Sequence, residues 1–175
     1  MSASLNVTDR TIVMAVVRLL LEGTEVVAFQ YDSGFTVHFQ RPLPERSGLP
    51  LQASLVLRAK WWTGDSDEVP VHMIVQSPEI FKCNLDQPYQ AFKLMSFIEH
   101  NVDQVDIDAG SSLKLFLSNG DLLTIQGKET AWDFSWYLFV PSDTPGVDTW
   151  SVNCDASGNL EGAWPADAPI PPTVE

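Results

Sequence analysis

The sequence predicts an α+β domain built mainly on antiparallel β-sheet, and three observations predict it. Apolar and polar residues alternate over most of Val102 to Trp164, the period of strands with one dry face and one wet face. Turn chemistry punctuates that alternation at Ala109-Gly110, at Ser118-Asn119-Gly120-Asp121 and from Asp155 to Asn159, which is the grammar of a meander. Two stretches instead repeat their apolar residues at helical spacing, about Asp9 to Glu22 and Pro88 to Asn101.

Taken in order, Met1 to Val7 reads as a loose start. Thr8 is placed to cap a first helix whose residues Ile12, Val16, Leu19 and Leu20 recur at helical spacing, and Gly23 supplies the stop. Val13, Val17 and Leu21 broaden its apolar stripe, so the helix is either deeply packed or shared with a second subunit. From Thr24 the period becomes two: Val27, Phe29 and Tyr31 alternate up to Asp32-Ser33-Gly34, and Phe35, Val37 and Phe39 alternate after it, which makes a hairpin. Arg41 to Pro50 holds three prolines and a glycine and reads as a loop. Leu51 to Trp61 forms a long strand ending in the polar turn Thr63 to Glu68, and Val69 to Val75 is a further strand that Pro70 restricts to an edge. Ser77 to Pro88 is irregular. The second helix then presents Ala91, Phe92, Met95 and Ile98, flanked by Leu94, as its apolar face.

In the meander, Val105 and Ile107 face the core while Asp106 and Asp108 face water, and Leu113, Leu115 and Leu117 continue the apolar row. Asn119-Gly120 is expected to form a type I′ turn, where both central residues take positive φ. Trp132, Phe134, Trp136, Leu138 and Val140 are expected on one buried face, and a last hairpin runs from Trp150 through Cys154 to Leu160 and Trp164. The hairpins around Asp32 and Asp108 match at a constant offset of 76 residues, so the chain reads either as two similar halves or as a chance likeness between two Asp-x-Gly turns.

The organisation is one domain over residues 1–165 followed by a proline-rich, acidic tail over residues 166–175. The 23 acidic residues against 10 basic ones give a formal charge of −13, which disfavours nucleic acid and anionic membrane as partners and attracts a basic protein. The same charge is also explained by solubility alone. Cys83 and Cys154 are far apart with no metal-ligand spacing, and the apolar run near the N-terminus is too short for a span and lacks a basic leader. A cytoplasmic protein with no cofactor and no metal is expected.

Only His38, His72 and His100 are available for acid-base chemistry, and nucleophile-elbow, phosphate-loop and zinc-protease motifs are missing. The expectation is therefore not an enzyme, with no catalytic residue assigned. Three acidic groups stand out: Asp65, Asp67 and Glu68 in a loop, Asp103, Asp106 and Asp108 along one strand, and Asp143, Asp148 and Asp155 near the last turns. Each is either a solvated face or part of a recognition surface. Trp61 and Trp62 point to opposite faces of one strand, so one indole leaves the core; Trp62 is the candidate hot spot beside the acidic residues.

The run "LKLFLSNGDLLTIQG", followed by "SWYLFVP" and "WSVNCDASGNLEGAW", resembles a widespread group of small bacterial domains in which a hairpin, a W-x-L strand and a terminal hairpin follow one another. Some members of that group look like immunity proteins encoded beside secreted toxins. The resemblance covers Val102 to Trp164 and carries no functional residue with it; what it implies is a binding role. The expected function is non-enzymatic binding of a basic partner, an immunity-type protein neutralising a basic toxin through an acidic surface composed of Asp65, Asp67, Glu68, Asp103, Asp106, Asp108 and Trp62. The competing reading is a homo-oligomeric small-ligand or enzymatic domain with a pocket between sheet and helix lined by Trp61, Trp136 and Tyr137. A homodimer is expected in either case from the broad stripe of the first helix.

Overall fold

The computed structural model describes residues 4–32, 34–42, 48–64, 86–142 and 148–170. The expected strand Val69–Val75, the acidic loop residues Asp65, Asp67 and Glu68, His72, Cys83, Asp143 and the last five residues lie outside these. Among the described residues the chain is α+β and mainly antiparallel. The elements are β1 (Ser4–Val7), α1 (Arg10–Leu21), β2 (Glu25–Tyr31), β3 (Phe35–Gln40), β4 (Gln52–Leu57), β5 (Trp61–Thr63), α2 (Asp86–Met95), β6 (Val102–Ile107), β7 (Leu113–Leu117), β8 (Leu122–Ile125), β9 (Phe134–Pro141), β10 (Asp148–Asp155) and β11 (Leu160–Pro165). They form a seven-stranded sheet of order β1-β11-β10-β9-β4-β3-β2 and a four-stranded sheet of order β5-β8-β7-β6.

The inner faces of both sheets and α1 share one apolar core, in which Val37, Leu55, Leu138 and Val152 from one sheet join Val105, Leu115 and Ile125 from the other. Helix α1 contributes Val13, Val16, Val17, Leu20 and Leu21 as buried residues, with Ile12, Met14 and Leu19 packed partly against the same cluster. The breadth of its apolar stripe is thus absorbed inside one chain, where each fully buried aliphatic side chain stabilises by about 1.5–3 kcal/mol. The N-cap is Asp9 rather than Thr8: its Oδ1 accepts from Thr11 N at 2.9 Å and Ile12 N at 3.3 Å. At the other end Gly23 turns away at φ +74° and buried Arg41 donates to the carbonyls of Leu19 (2.8 Å), Leu20 (3.3 Å) and Glu22 (3.2 Å).

The two sheets are joined where β2 meets the approach to β6. Val26 N donates to His100 O (3.0 Å), Glu99 N donates to Val26 O (2.9 Å), and Glu25 bridges Asn101. The free side of β6 is closed by α1 and the turn after it. Val102 exchanges bonds with Gly23 and Thr24 (2.8 and 2.7 Å), Arg18 Nε donates to Val105 O (3.1 Å), and Val105 N donates to Glu22 Oε1 (3.0 Å).

Several expectations are corrected. Residues 4–7 are not loose; they form edge strand β1 against β11, with Leu5 opposite Trp164. Helix α2 ends at Met95 rather than Asn101, and it buries Leu94 while Phe97 is buried in the turns that follow; Phe92 and Met95 are each 59% exposed on the opposite side. Besides Thr149 at the start of β10, three bulges break the expected parity by inserting one extra residue each: Val27 in β2, Asp103 in β6 and Ser135 in β9. The last of these removes Trp132 and Phe134 from the buried row, so that Trp136, Leu138 and Val140 remain inside while Trp132 is exposed under the Arg58 guanidinium, 4.9 Å from the ring centroid.

Asn119-Gly120 does not make a type I′ turn. Gly120 takes positive φ (86°) and Asn119 does not, because the loop has three residues: Gly120 N donates to Leu117 O and Leu117 N to Asp121 O, both at 2.9 Å. Finally, the 76-residue match holds for one strand of each hairpin only. Tyr31 pairs with Phe35, whereas Ile107 pairs with Leu113, so the second strands are displaced by two residues and the two hairpins close through different turns.

Candidate functional site

The outward face of the four-stranded sheet collects most of the described candidate residues. Its register sets a row across all four strands: Trp62 lies opposite Thr124, Thr124 opposite Lys114, and Lys114 opposite Asp106, with Thr124 buried and the other three half-buried. A second row runs from Leu122 to Phe116 to Gln104. With neighbouring strands about 4.8 Å apart, Trp62 and Asp106 stand roughly 14 Å from each other at the two ends of the first row. The sequence accounts for this placement, because Trp61 enters the core and Trp62, one residue on, must leave it.

The acidic residues on this sheet differ in what holds them. Asp103 is exposed and is the extra residue of the β6 bulge. Asp106 is partly exposed and lies 3.7 Å from Arg18 Nη2, an exposed pair whose attraction is largely screened. Asp108 is absorbed by the β6–β7 turn: its Oδ1 accepts from Gly110 N (2.9 Å) and Ser112 N (3.0 Å), and its Oδ2 is 4.0 Å from Lys114 Nζ. Asp108 is therefore a turn residue first, and the acidic strand is less bare than its sequence implies. Asp155, from the third acidic group, is likewise spent on a turn. Burial pulls its pKa upward, but bonds from Asn159, Ser157 and Gly158 outweigh that and hold the carboxyl below its ordinary value.

Three arginines are tied to backbone carbonyls of the fold. Arg10 donates to Ser111 Oγ (2.8 Å) and to the Asp108 carbonyl, Arg18 to the Val105 carbonyl, and Arg41 to the end of α1. Three of the ten basic residues of the chain thus bind backbone within the fold.

The trio Trp61, Trp136 and Tyr137 does not line one pocket. Trp61 and Trp136 are buried in the core, and Tyr137 follows Trp136 onto the outer face of the seven-stranded sheet, where its ring stacks on Phe139 (centroids 5.5 Å) and meets Phe134 (6.0 Å). His38 is on that same face, with Nδ1 2.9 Å from Ser54 Oγ across the β3–β4 pair. Cys154 is buried, and burial followed by the charge of Asp155 pushes its thiol up to about 12, which makes it inert at neutral pH. Among the described residues no three of His, Cys, Asp and Glu come together as a metal site. No helix there is long and apolar enough to cross a membrane.

Sequence reasoning missed Phe116 and Gln104 as members of the outward face, although their alternation with Leu115 and Val105 carries that signal. It also missed Ser111, which is buried with φ +65°: its carbonyl accepts from Trp136 Nε1 (3.0 Å) and its hydroxyl donates to Gly158 O. Comparison with known proteins returned no match to a family model, a curated protein or a solved structure.

Proposed function

We propose that this chain is a non-enzymatic binding protein that takes a basic protein partner on the outward face of its four-stranded sheet, in the manner of an immunity protein that occludes a basic toxin. The observation that carries the reading is the cross-strand row from Trp62 to Asp106, beside the partly exposed Phe116 and the exposed Asp103. Aromatic and acidic groups on one sheet face suit a protein-binding patch, in which the aromatics supply affinity and the charge supplies encounter rate. The formal charge of −13 supports the same reading.

The test is retention of partners by immobilised protein at low and high salt, with Asp103→Lys/Asp106→Lys as the control. These two positions are chosen because Asp108 holds its turn and its replacement would confound folding with binding. The expected result is a basic protein retained at low salt whose association slows roughly tenfold or more with the double variant. Retention of no basic protein, or retention indifferent to both salt and charge reversal, would overturn the reading.

A further inference from the structure

We infer that the outer face of the seven-stranded sheet holds a second, independent site for a neutral polyhydroxylated ligand such as a saccharide. A concavity of about 430 Å³ opens there beside Tyr137, over the small residues Ser151, Gly162 and Ala163 of β10 and β11. That volume is within the ordinary range for small-ligand sites. The depression exists because the outward residues opposite one another in this register are short: Ser151 pairs with Ala163. The wall is a fixed aromatic, since the Tyr137 ring is stacked against Phe139 at an interplanar angle of 16°, with the tilted Phe134 ring 6.0 Å away. A ring already immobilised costs little entropy on binding, which is what preorganisation requires.

The polar groups select the ligand. Asn153 Nδ2 donates to Glu161 Oε1 (3.1 Å) across the β10–β11 pair, which leaves an amide oxygen and a second carboxylate oxygen among the lining groups as acceptors. A neighbouring depression of about 400 Å³ shares Thr8 and Glu161 with the first and is lined further by Asn159 and Arg10, so the two adjoin. Glu161 and Asp155 oppose an anionic ligand, while Arg10, which lines the second depression with them and keeps its charge, opposes a cationic one. An apolar ligand would strand the amide, carboxylate and hydroxyl groups without partners. What remains is a ligand rich in hydroxyl groups, each both donor and acceptor, with one apolar face to lie on the tyrosine.

The site is on the other sheet from the row between Trp62 and Asp106, so it stands or falls separately from the protein-binding proposal. The experiment titrates the ¹⁵N-labelled protein with maltotriose, cellotriose and chitotriose. We expect at least one to give saturable shifts at Ser151, Asn153 and Glu161 with a dissociation constant near or below about 10 mM, and Tyr137→Ala and Asn153→Ala each to weaken it by roughly tenfold. The spectra themselves report whether each variant is folded. No saturable shift from any of the three sugars in the unaltered protein, or shifts that persist unchanged in folded Tyr137→Ala protein, would overturn the inference.

Discussion

Hairpins β6–β7 and β10–β11 carry the same loop, with Asp108 and Asp155 47 positions apart, and differ in the residue placed at the left-handed position. In both, the leading aspartate N–H donates to the residue four positions on (Ser112 O at 3.1 Å, Asn159 O at 2.9 Å), and its Oδ1 accepts from the residues two and four positions on. The core residues correspond as well: Val105 with Val152, Ile107 with Cys154, Leu113 with Leu160. The left-handed residue is Gly158 (φ +88°) in one and Ser111 (φ +65°) in the other. Local chemistry therefore dictates the loop, while tertiary partners decide who occupies its strained position. Serine fits there because its hydroxyl accepts from Arg10 and donates to the Gly158 carbonyl, offsetting the roughly 1–2 kcal/mol that a non-glycine residue spends at positive φ.

The largest break in this arrangement is expected from Gly127→Ala. Gly127 lies against the backbone of Gly110 and Ser111, where a Cβ would collide with main chain that cannot give, and Cys154 Sγ packs 3.3 Å from its carbonyl. A loss of about 3 kcal/mol or more in urea unfolding is expected, through separation of the two loops. An unchanged midpoint would show that the loops do not depend on this contact. Ser111→Ala should cost about 2 kcal/mol, since it keeps the backbone strain and leaves the Gly158 carbonyl and the Arg10 guanidinium short of a partner. Ser111→Gly relieves the strain and should be milder by about 1 kcal/mol; equal losses would mean that the strain is not real.

Asp155→Ala tests the shared part of the two loops and should cost about 1 kcal/mol, because it removes the acceptor for two backbone amides and the Asn159 side chain. Its pH dependence follows from the sign of its shift. The folded carboxyl titrates below its ordinary value of 3.8, so its stabilisation is complete above that pH and is lost as acid protonates it in the folded state. Unfolding measured from neutral to acid pH should show a smaller acid loss for Asp155→Asn than for the unaltered protein.

Legibility followed the range of the interactions involved. Alternation at Phe35-Val37-Phe39, Leu113-Leu115-Leu117 and Trp136-Leu138-Val140 was enough to place those strands and their buried sides, since a side-chain period of two needs no tertiary information. Bulges at Val27, Asp103 and Ser135 were not legible, because an inserted residue is defined by what lies opposite and not by its own type. For the same reason the sequence offers an offset of 76 while the structural match is at 47: the loops around Asp108 and Asp155 share hydrogen bonds that the strings "DAGSS" and "DASGN" only half disclose. In the candidate site, Trp62 and Asp106 were readable as outward residues, but their alignment in one row required the register of β5, β8, β7 and β6.

The smallest effect is expected where the hairpins differ by Ile107 against Cys154. Both side chains are buried at the last core position before the aspartate, so the thiol acts as a small apolar group and Cys154→Val should change stability by less than about 1.5 kcal/mol. The chemistry should differ more than the packing does. With its pKa near 12, native Cys154 holds almost no thiolate at pH 8, and in a Cys83→Ala background it should resist iodoacetamide until the protein unfolds. The sign of the linkage follows: the thiol's contribution to stability is complete below the unfolded-state value of about 8.5 and declines as pH rises toward the folded value, because the unfolded chain ionises first. Cys154→Val should therefore flatten the alkaline limb of the stability profile. If native Cys154 alkylates at the rate of a free thiol, the hairpin ends are not closed against solvent, and the equivalence of Ile107 and Cys154 as core positions fails.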